Sequence, residues 1–205
     1  MIEVREYDLP DAKLINAKSK NAFDFMVWQP SELAVIIGAS NNAEKSLFIE
    51  KLHSDAVPVY KRLTGGEAVV ISESTVIISC RLANDKKKKS TEYFAEINAT
   101  IIKSLEALGV ENIGTDGISD IKIGHKKILG SSMKRTQDFV FYHAVLNVSE
   151  STELMEKYLR FPSKTPDYRE NRSHAEFVTS LHAENFLIPI EKLISELNSQ
   201  LASVL

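Results

Sequence analysis

The order of hydrophobic patterns along the chain restricts its fold more than any other feature of the sequence. Stretches with two-residue alternation, or with dense β-branched and aromatic side chains, are interrupted by isolated stretches with helical spacing. Strand and helix patterns do not alternate regularly, as they do in a doubly wound parallel sheet. The sequence therefore predicts an α+β fold with mixed, largely antiparallel sheets flanked by helices.

The individual elements follow from periodicity, turn residues and capping residues. The strands that we predict lie at residues 3–7, 23–29, 33–37, 57–62, 68–71, 75–82, 121–123, 127–133 and 139–148. The helices that we predict lie at residues 11–21, 41–53, 90–108, 152–159, 173–181 and 189–204. The pairs Gly65-Gly66 and Gly124-His125 predict turns between strands.

Size and charge limit the classes of function. The 205 residues, of which 43% are apolar, fit one domain. The 25 basic and 28 acidic residues give a formal net charge of −3, which argues against a nucleic-acid or membrane-surface partner. The single cysteine, Cys80, suits a reducing compartment, and the sequence has no secretory or membrane-spanning pattern. We therefore expect a cytoplasmic protein.

The first candidate site is the Gly65-Gly66 pair, which follows Arg62 and Thr64 and precedes an apolar strand. Adjacent glycines let backbone N–H groups approach an anion closely, and Arg62 and Thr64 add charged and neutral donors. A phosphate or a carboxylate suits such a loop. Taken alone, the pattern more often indicates a plain hairpin whose glycines adopt positive φ.

The second candidate site lies in residues 117–134, where Lys127 is followed by Gly130 and two serines. A lysine beside a glycine and small hydroxylated residues places a positive charge next to a surface that a ligand approaches closely. This combination suits an activated acyl phosphate. The structural alternative is an exposed hairpin with solvated lysines.

The third candidate is the strand at residues 139–148, in which alternation places His143 on one face with Phe141 and Val145. A histidine among apolar side chains more often has a structural role than a catalytic one. Cys80 lies on the apolar face of its own predicted strand, which indicates a buried structural thiol rather than a nucleophile.

Four short segments of these candidates occur in a fixed order. They are Arg62 to Val69, Ser119-Asp120-Ile121, Lys127 to Ser132, and Tyr142-His143-Ala144. This order resembles the lipoate-protein ligase A type of the biotin and lipoate A/B protein ligase family, whose motifs are Arg-x-Thr/Ser-Gly-Gly-Gly-Ala-Val, Asn-Asp-Leu, Lys-Ile/Val-x-Gly-Ser-Ala and His-His-Gly. Residues 168–181 also resemble members of this family.

The resemblance implies the fold of a biotin or lipoate protein ligase catalytic domain and a two-step reaction. The expected substrate is lipoate or octanoate rather than biotin. It reacts with ATP, with Mg²⁺ as cofactor, to give an acyl adenylate and pyrophosphate. A lysine of a lipoyl-carrier protein domain then takes the acyl group. We expect one catalytic-type domain at residues 1–205, without an accessory C-terminal domain, which leaves room for a separate accessory subunit as a second partner.

The resemblance also assigns roles to particular residues. Lys127 is the expected catalytic residue, because a fixed cation at the acyl and phosphate oxygens stabilises developing negative charge. The expected substrate-binding residues are Arg62, Thr64, Gly65, Gly66, Asp120, Gly130, Ser131, Lys134 and His143. His143 is expected in the acyl pocket and Asp120 near the adenylate or its metal, whose other ligands stay open. The apolar wall of that pocket is expected near Val35, Ile36, Val69 and Val145.

The sequence departs from the family pattern at several positions. Glu67 replaces the third glycine, Lys134 stands where arginine is frequent, and Tyr142-His143-Ala144 replaces His-His-Gly. A carboxylate beside an expected anion site leaves open a degenerate family member that binds an acyl group or a carrier protein without adenylation. Acyltransferases of this fold use a cysteine near Val140 or shortly before Ser119, and neither place has one. A cysteine-independent lipoyl or octanoyl transferase therefore stays open as well.

Overall fold

A computed structural model describes residues 2–16, 21–162 and 165–204 of the chain. The strands are β1 Val4–Glu6, β2 Phe23–Trp28, β3 Ala34–Ile37, β4 Val59–Lys61, β5 Val69–Ile71, β6 Thr75–Ala83, β7 Ile113–Asp116, β8 Asp120–Ile123, β9 Lys126–Arg135 and β10 Phe139–Asn147. The helices are α1 Ala12–Asn16, α2 Ala43–Ser46, α3 Ile49–Ser54, α4 Ser90–Ala107, α5 Thr152–Tyr158, α6 His174–Phe177 and α7 Ile190–Ala202, with one 3₁₀ turn at Asp167–Arg169.

The strands form two sheets. The small sheet has the order β1-β4-β3-β5, in which β4 pairs in parallel with both β1 and β3, and β5 pairs antiparallel with β3. The large sheet has the order β2-β6-β10-β9-β8-β7 and is antiparallel throughout. The predicted fold class, α+β with mixed and largely antiparallel sheets flanked by helices, is confirmed.

Three apolar clusters hold these layers together. The large sheet packs against α4 and α7, the small sheet packs against α3 and α5, and a third cluster joins the two sheets to each other. In the third cluster Ile36, Tyr60 and Ile71 of the small sheet meet Ile77 of the large sheet. Each fully buried aliphatic or aromatic side chain contributes about 1.5–3 kcal/mol relative to exposure, so these clusters fix how the sheets face each other.

Long periodic segments match the sequence prediction closely, and short ones differ. Helix α4 begins and ends within one residue of the prediction, whereas the helix predicted at residues 41–53 is split into α2 and α3. Leu47, between the two, forms an isolated β-bridge with Leu159, and this pairing interrupts the helix. Strand β7 was not predicted, because Ile113–Asp116 lacks a run of β-branched or aromatic side chains.

The helix predicted at residues 173–181 is confined to α6. Its start agrees with the sequence, since Ser173 and Glu176 form the predicted capping box. It ends early because Val178 forms a parallel β-bridge with Lys127 and leaves the helix. The helix predicted at residues 11–21 is α1 in its first half, and residues 17–20 lie outside the described residues.

Within the described ranges, no helix combines the length and hydrophobicity that crossing a membrane requires.

Candidate active site

A cavity of about 530 Å³ is lined by residues of both sheets. Its walls come from the loop after β3, the loop between β4 and β5, strands β5, β8, β9 and β10, and the chain that follows α5. A volume of this size is typical of small-molecule sites. The three sequence segments singled out above all contribute residues to this one cavity.

Arg62 organises the glycine loop. Its guanidinium donates to Thr64 Oγ1 at 3.0 Å, and through Nη2 to the Gly65 carbonyl at 2.7 Å and the Glu67 carbonyl at 2.9 Å. The side chain is only 5% exposed, and burial lowers the pKa of Arg62 to about 10, so the group stays protonated at neutral pH. Arg62 therefore fixes the backbone of this loop from the buried side.

Close contacts hold the same loop against both sheets. A Cβ atom at Gly38 would lie 2.0 Å from the carbonyl oxygen of Gly66, so the end of β3 and the loop meet backbone to backbone. Gly66 has a φ of +87°, which favours glycine at this position. On the other side, Ser132 of β9 donates to Thr64 Oγ1 at 2.8 Å. The loop is not the plain hairpin that its glycines alone would indicate, because β3 lies between β4 and β5.

Lys127 lies in the cavity next to Asp120. Its Nζ atom is 2.9 Å from Asp120 Oδ1, and the lysine side chain is 26% exposed while that of Asp120 is 6% exposed. The other carboxylate oxygen accepts a hydrogen bond of 2.9 Å from the Tyr168 hydroxyl, and Ser119 donates to Oδ1 at 3.1 Å. Asp120 is therefore oriented on both oxygens, and it holds one ammonium group at the cavity wall.

A β-bulge explains why Lys127 faces the cavity together with Gly130. Alternation along a regular strand would place residues three apart on opposite faces. Residues Ile121 and Lys122 of β8 pair with Leu129 and Lys127 of β9, so Ile128 is an extra residue that reverses the alternation. A Cβ atom at Gly130 would lie 2.6 Å from Lys127 Nζ, so the absence of a side chain there makes room for the ammonium group.

His143 is buried where the cavity meets the space between the sheets. His143 pairs with Ser132 of β9, so the two side chains lie on the same face of the large sheet. Its Nδ1 lies 3.4 Å from Asp11 Oδ2, and the hydroxyl groups of Tyr7 and Ser79 donate to Asp11. Burial, assisted by the positive charge of Arg62, lowers the pKa of His143 to about 4 despite Asp11. The imidazole is therefore neutral at pH 7.

Comparison with known proteins decides the family. The model of the lipoyl protein ligase A/B catalytic domain matches residues 11–202. The chain belongs to this family. Over 146 residues it is 29% identical to lipoate-protein ligase A of Psychrobacter cryohalolentis, a match that covers 71% of this chain and 41% of that relative. The chain thus spans less than half the length of this curated relative.

Solved structures share the fold. One, described as a bi-partite lipoate protein ligase and its E2 lipoyl domain from Thermoplasma acidophilum, gives a TM-score of 0.80 at 20% identity over 94% of this chain and 75% of that chain. A lipoate-protein ligase A bound with ATP gives 0.75 at 21% identity over 94% and 76%. At identities this low the similarity establishes the fold, and the predicted likeness to lipoate ligase catalytic domains is confirmed.

Seven of the ten site residues predicted for this lipoyl ligase family member line the cavity. They are Arg62, Gly66, Asp120, Lys127, Gly130, Ser131 and His143. Thr64 and Gly65 are not among the lining residues, and both accept hydrogen bonds from Arg62. Lys134 lies further along β9, opposite Phe141, outside the lining. Of the four expected apolar wall residues, Val69 and Val145 line the cavity, whereas Val35 and Ile36 are buried in the apolar clusters.

The chain after α5 supplies cavity residues that the sequence did not assign. They are Phe161, Tyr168, Arg169, His174 and Phe177. The one available signal was that residues 168–181 resemble the family, which gave no role to any side chain. Burial and the positive charge of Arg169 lower the pKa of His174 to about 4, so this histidine is also neutral at pH 7.

Acidic side chains on the cavity wall are the candidate ligands for a metal ion. Among the described lining residues, the carboxylates are those of Asp120 and Glu67, and Asn41 Nδ2 donates to Glu67 Oε2 at 3.3 Å. In the part of the chain that the structure describes, no group of three or more His, Cys, Asp or Glu side chains is arranged to hold a metal ion.

Cys80 lies away from the cavity. It is fully buried in the cluster between the large sheet and helices α4 and α7, as its alternation indicated. Burial raises the pKa of the Cys80 thiol, so little thiolate forms at neutral pH. The position and protonation of the single cysteine argue against a cysteine nucleophile in this family member.

Proposed function

We propose that the chain is the catalytic part of an ATP-dependent lipoate-protein ligase, which activates lipoate or octanoate and transfers it to a lysine of a lipoyl-carrier protein domain. The observation that carries the proposal is the common cavity of Lys127, the Arg62-bound glycine loop and the apolar side chains Val69 and Val145. A cation, close-approach backbone and an apolar wall together match an acyl chain that ends in an activated carboxylate. Membership of the family supports the reaction class.

In the first step, an oxygen of the acyl carboxylate attacks the α-phosphorus of ATP, the bond to the β-phosphate oxygen breaks, and pyrophosphate leaves. Negative charge shifts among carboxylate and phosphate oxygens near Lys127. A preorganised ammonium group stabilises such charge more strongly in a confined cavity than in water. We assign Asp120 and Tyr168 to positioning Lys127, because Asp120 contacts both groups at 2.9 Å.

The acyl chain would lie on the apolar side of the cavity, against Val69 and Val145 and next to His143. Burying about eight carbons at about 0.8 kcal/mol per methylene supplies several kcal/mol without polar contacts. Neutral His143 suits this position, because a protonated imidazole beside the chain would carry a desolvation cost.

In the second step, the neutral amine of a carrier lysine attacks the acyl carbonyl carbon, AMP leaves with the bonding electrons, and the amine loses a proton. We propose residues 1–205 as a single catalytic-type unit for both steps, with a separate accessory subunit as a second partner beside the carrier domain. The similarity to a structure described as a bi-partite lipoate protein ligase supports this arrangement.

Mg²⁺ fits this cavity as an ion that arrives with the nucleotide. Magnesium prefers oxygen ligands and commonly binds through one or two carboxylates together with substrate phosphates. Asp120 and Glu67 are the candidate carboxylates, because they are the carboxylates among the described lining residues. The ion would neutralise phosphate charge during the first step.

A second candidate function rests on Glu67. Its carboxylate lies on the cavity wall where the family pattern has a glycine, and a negative charge there opposes a nucleotide anion. The corresponding protein would bind an acyl group or a carrier domain without forming an adenylate.

Acyl-dependent exchange of labelled pyrophosphate into ATP separates the two functions. The chain is assayed alone and with candidate accessory subunits, using lipoate, octanoate and biotin in parallel. The proposed ligase gives exchange with lipoate or octanoate, and mass spectrometry then finds the acyl mass on a carrier lysine. Tight acyl binding with no exchange under any of these conditions would contradict adenylation and support the second candidate.

A further inference from the structure

Arg169 is an arginine enclosed between two aromatic rings on the cavity wall. Its guanidinium carbon lies 4.8 Å from the ring centre of Phe161 and 4.9 Å from that of Phe177. The side chain is only 5% exposed, although it belongs to the cavity lining. Stacking on both rings fixes the plane of the guanidinium and therefore the direction of its N–H groups.

Hydrogen bonding leaves part of this guanidinium without a partner. Arg169 Nε donates to the Arg172 carbonyl at 2.9 Å, whereas Nη2 is buried and has no acceptor among the described residues. Arg172 is the contrast, since its Nε, Nη1 and Nη2 donate to the carbonyls of Arg169, His125 and Tyr168 at 2.7–3.1 Å. Arg172 thus holds the backbone of this turn, whereas Arg169, a residue of the cavity lining, keeps one buried donor without an acceptor.

Other cations surround the same ring. Lys127 Nζ lies 6.0 Å from the centre of Phe177, and the Arg172 guanidinium carbon lies 5.1 Å from it. Burial and the positive charge of Arg172 lower the pKa of Arg169, while Asp120 and Glu67 act in the opposite direction. A buried donor without an acceptor is costly, and a concentrated positive charge favours an anion as the group that supplies the acceptor.

We infer that Arg169 binds a phosphate group of the nucleotide, and the leaving pyrophosphate, through the guanidinium N–H groups for which the described residues supply no acceptor. This inference rests on the proposed use of ATP. The planar fork of an arginine matches phosphate oxygens, and Arg169 and Lys127 both lie near the ring of Phe177. The carboxylate of the acyl group is the competing anion, and the experiment distinguishes the two.

Titration calorimetry of the full chain with sodium pyrophosphate, and separately with octanoate, tests the inference. Arg169→Gln and Arg169→Met should weaken pyrophosphate binding about 10-fold to 100-fold, the range for a lost hydrogen bond to a charged group. Octanoate binding should change less than about threefold, which is within the variation of surface substitutions. Arg5→Gln is the matched control, because Arg5 also stacks on a ring, that of Tyr60 at 5.9 Å, but outside the cavity.

Arg169→Lys covers the case in which the neutral variants do not fold. It keeps the charge and loses the planar fork, so pyrophosphate binding should fall between that of the wild type and that of the neutral variants. Pyrophosphate binding that is absent from the wild type, or that equals the wild-type value in folded Arg169 variants, overturns the inference. A loss of octanoate binding alone overturns it too, because the partner would then be a carboxylate.

The outcome is separable from that of the proposed function. Wild-type protein that exchanges pyrophosphate into ATP, with unchanged pyrophosphate affinity in Arg169→Lys and Arg169→Gln, keeps the ligase and removes this role of Arg169. Arg169-dependent pyrophosphate binding without any exchange keeps the phosphate site and removes adenylation.

Discussion

The two faces of the large sheet differ although the same strands build both. On the helix side, Tyr142 and Ala144 of β10 pack with Ile101 of α4 in a continuous apolar cluster. On the opposite side, His143 and Ser132 line a cavity. The first face has its polar atoms satisfied, as in the hydrogen bond of 2.7 Å from the Tyr142 hydroxyl to Asn98.

The cavity face instead keeps groups that the protein itself does not satisfy. Both ring nitrogens of His143 and the Nη2 atom of Arg169 have no hydrogen-bond partner within the described part of the chain. Trp28 Nε1 and Arg81 Nε, which lie outside the cavity lining, also lack partners among the described residues. Most buried polar groups in native proteins are paired, so two unpaired side chains that share one cavity indicate a place for a ligand. The difference teaches that one face of the sheet is filled by a continuous apolar core, whereas the other face combines a smaller apolar cluster with a cavity that a ligand can occupy.

The first prediction addresses the helix face. Ile101→Ala should lower the free energy of unfolding by about 2–5 kcal/mol, because Ile101 is fully buried and its truncation leaves a cavity in the core. Urea denaturation measures the change, and ligand affinity of the folded fraction should stay near that of the wild type. Leu187→Ala, at a side chain that is 75% exposed, serves as control and should change stability by less than about 0.5 kcal/mol. Equal losses in both variants would contradict the assigned core.

The second prediction addresses the cavity face. Lys127→Ala should reduce acyl-dependent pyrophosphate exchange about 10²-fold to 10³-fold, the range for removing one group that stabilises developing charge. The variant should be folded but less stable than the wild type, because Asp120 loses its ammonium partner and keeps the hydrogen bonds from Tyr168 and Ser119. The neighbouring Lys126→Ala is the matched control, since Lys126 is exposed and outside the cavity. Exchange that survives Lys127→Ala would remove Lys127 from the reaction.

The third prediction concerns pH and the buried imidazole. Because the folded pKa of His143 is about 4 and its ordinary value is 6.5, the unfolded chain takes up the proton first as pH falls. Stability should therefore be fully present above pH 6.5 and decrease by about 1–3 kcal/mol toward pH 4. His174, whose pKa is also lowered to about 4, contributes in the same window. Denaturant titrations at several pH values measure the free energy of unfolding, which should depend less steeply on pH in His143→Gln than in the wild type. An unchanged pH dependence would contradict the burial of His143.

The fourth prediction concerns the space that Gly130 leaves for the Lys127 side chain. Gly130→Ala should reduce exchange about 10-fold to 100-fold, because its Cβ would lie 2.6 Å from Lys127 Nζ and displace the ammonium group. Gly114→Ala is the control, since an added Cβ there meets no atom within 4 Å. The two variants should have similar melting temperatures. Equal activity in both would show that the position of Lys127 does not limit the reaction.

The helix face was predictable from the sequence because its pattern is regular. The periodicity of residues 90–108 gave helix α4, and the alternation around Cys80 gave its buried side. The cavity face was predictable in part, through motifs that resemble the family. Alternation alone would place Lys127 and Gly130 on opposite faces, and the bulge at Ile128 that brings them together leaves no local signal.

The segment after α5 was the least predictable part of the site. Arg169 lies near Lys127 because Val178 bridges to Lys127 and because Gly117 leaves space for Tyr168, whose ring would be 2.7 Å from a Cβ there. These are long-range contacts between positions far apart in the chain. No periodicity or spacing within residues 168–178 encodes them.

A structure of the protein with a non-hydrolysable octanoyl-adenylate analogue tests the central claim most directly. The account predicts the octanoyl chain against Val69 and Val145, and Lys127 Nζ about 3 Å from an oxygen of the acyl-phosphate linkage. An analogue that binds outside the cavity, or whose linkage points away from Lys127, would contradict the proposed active site.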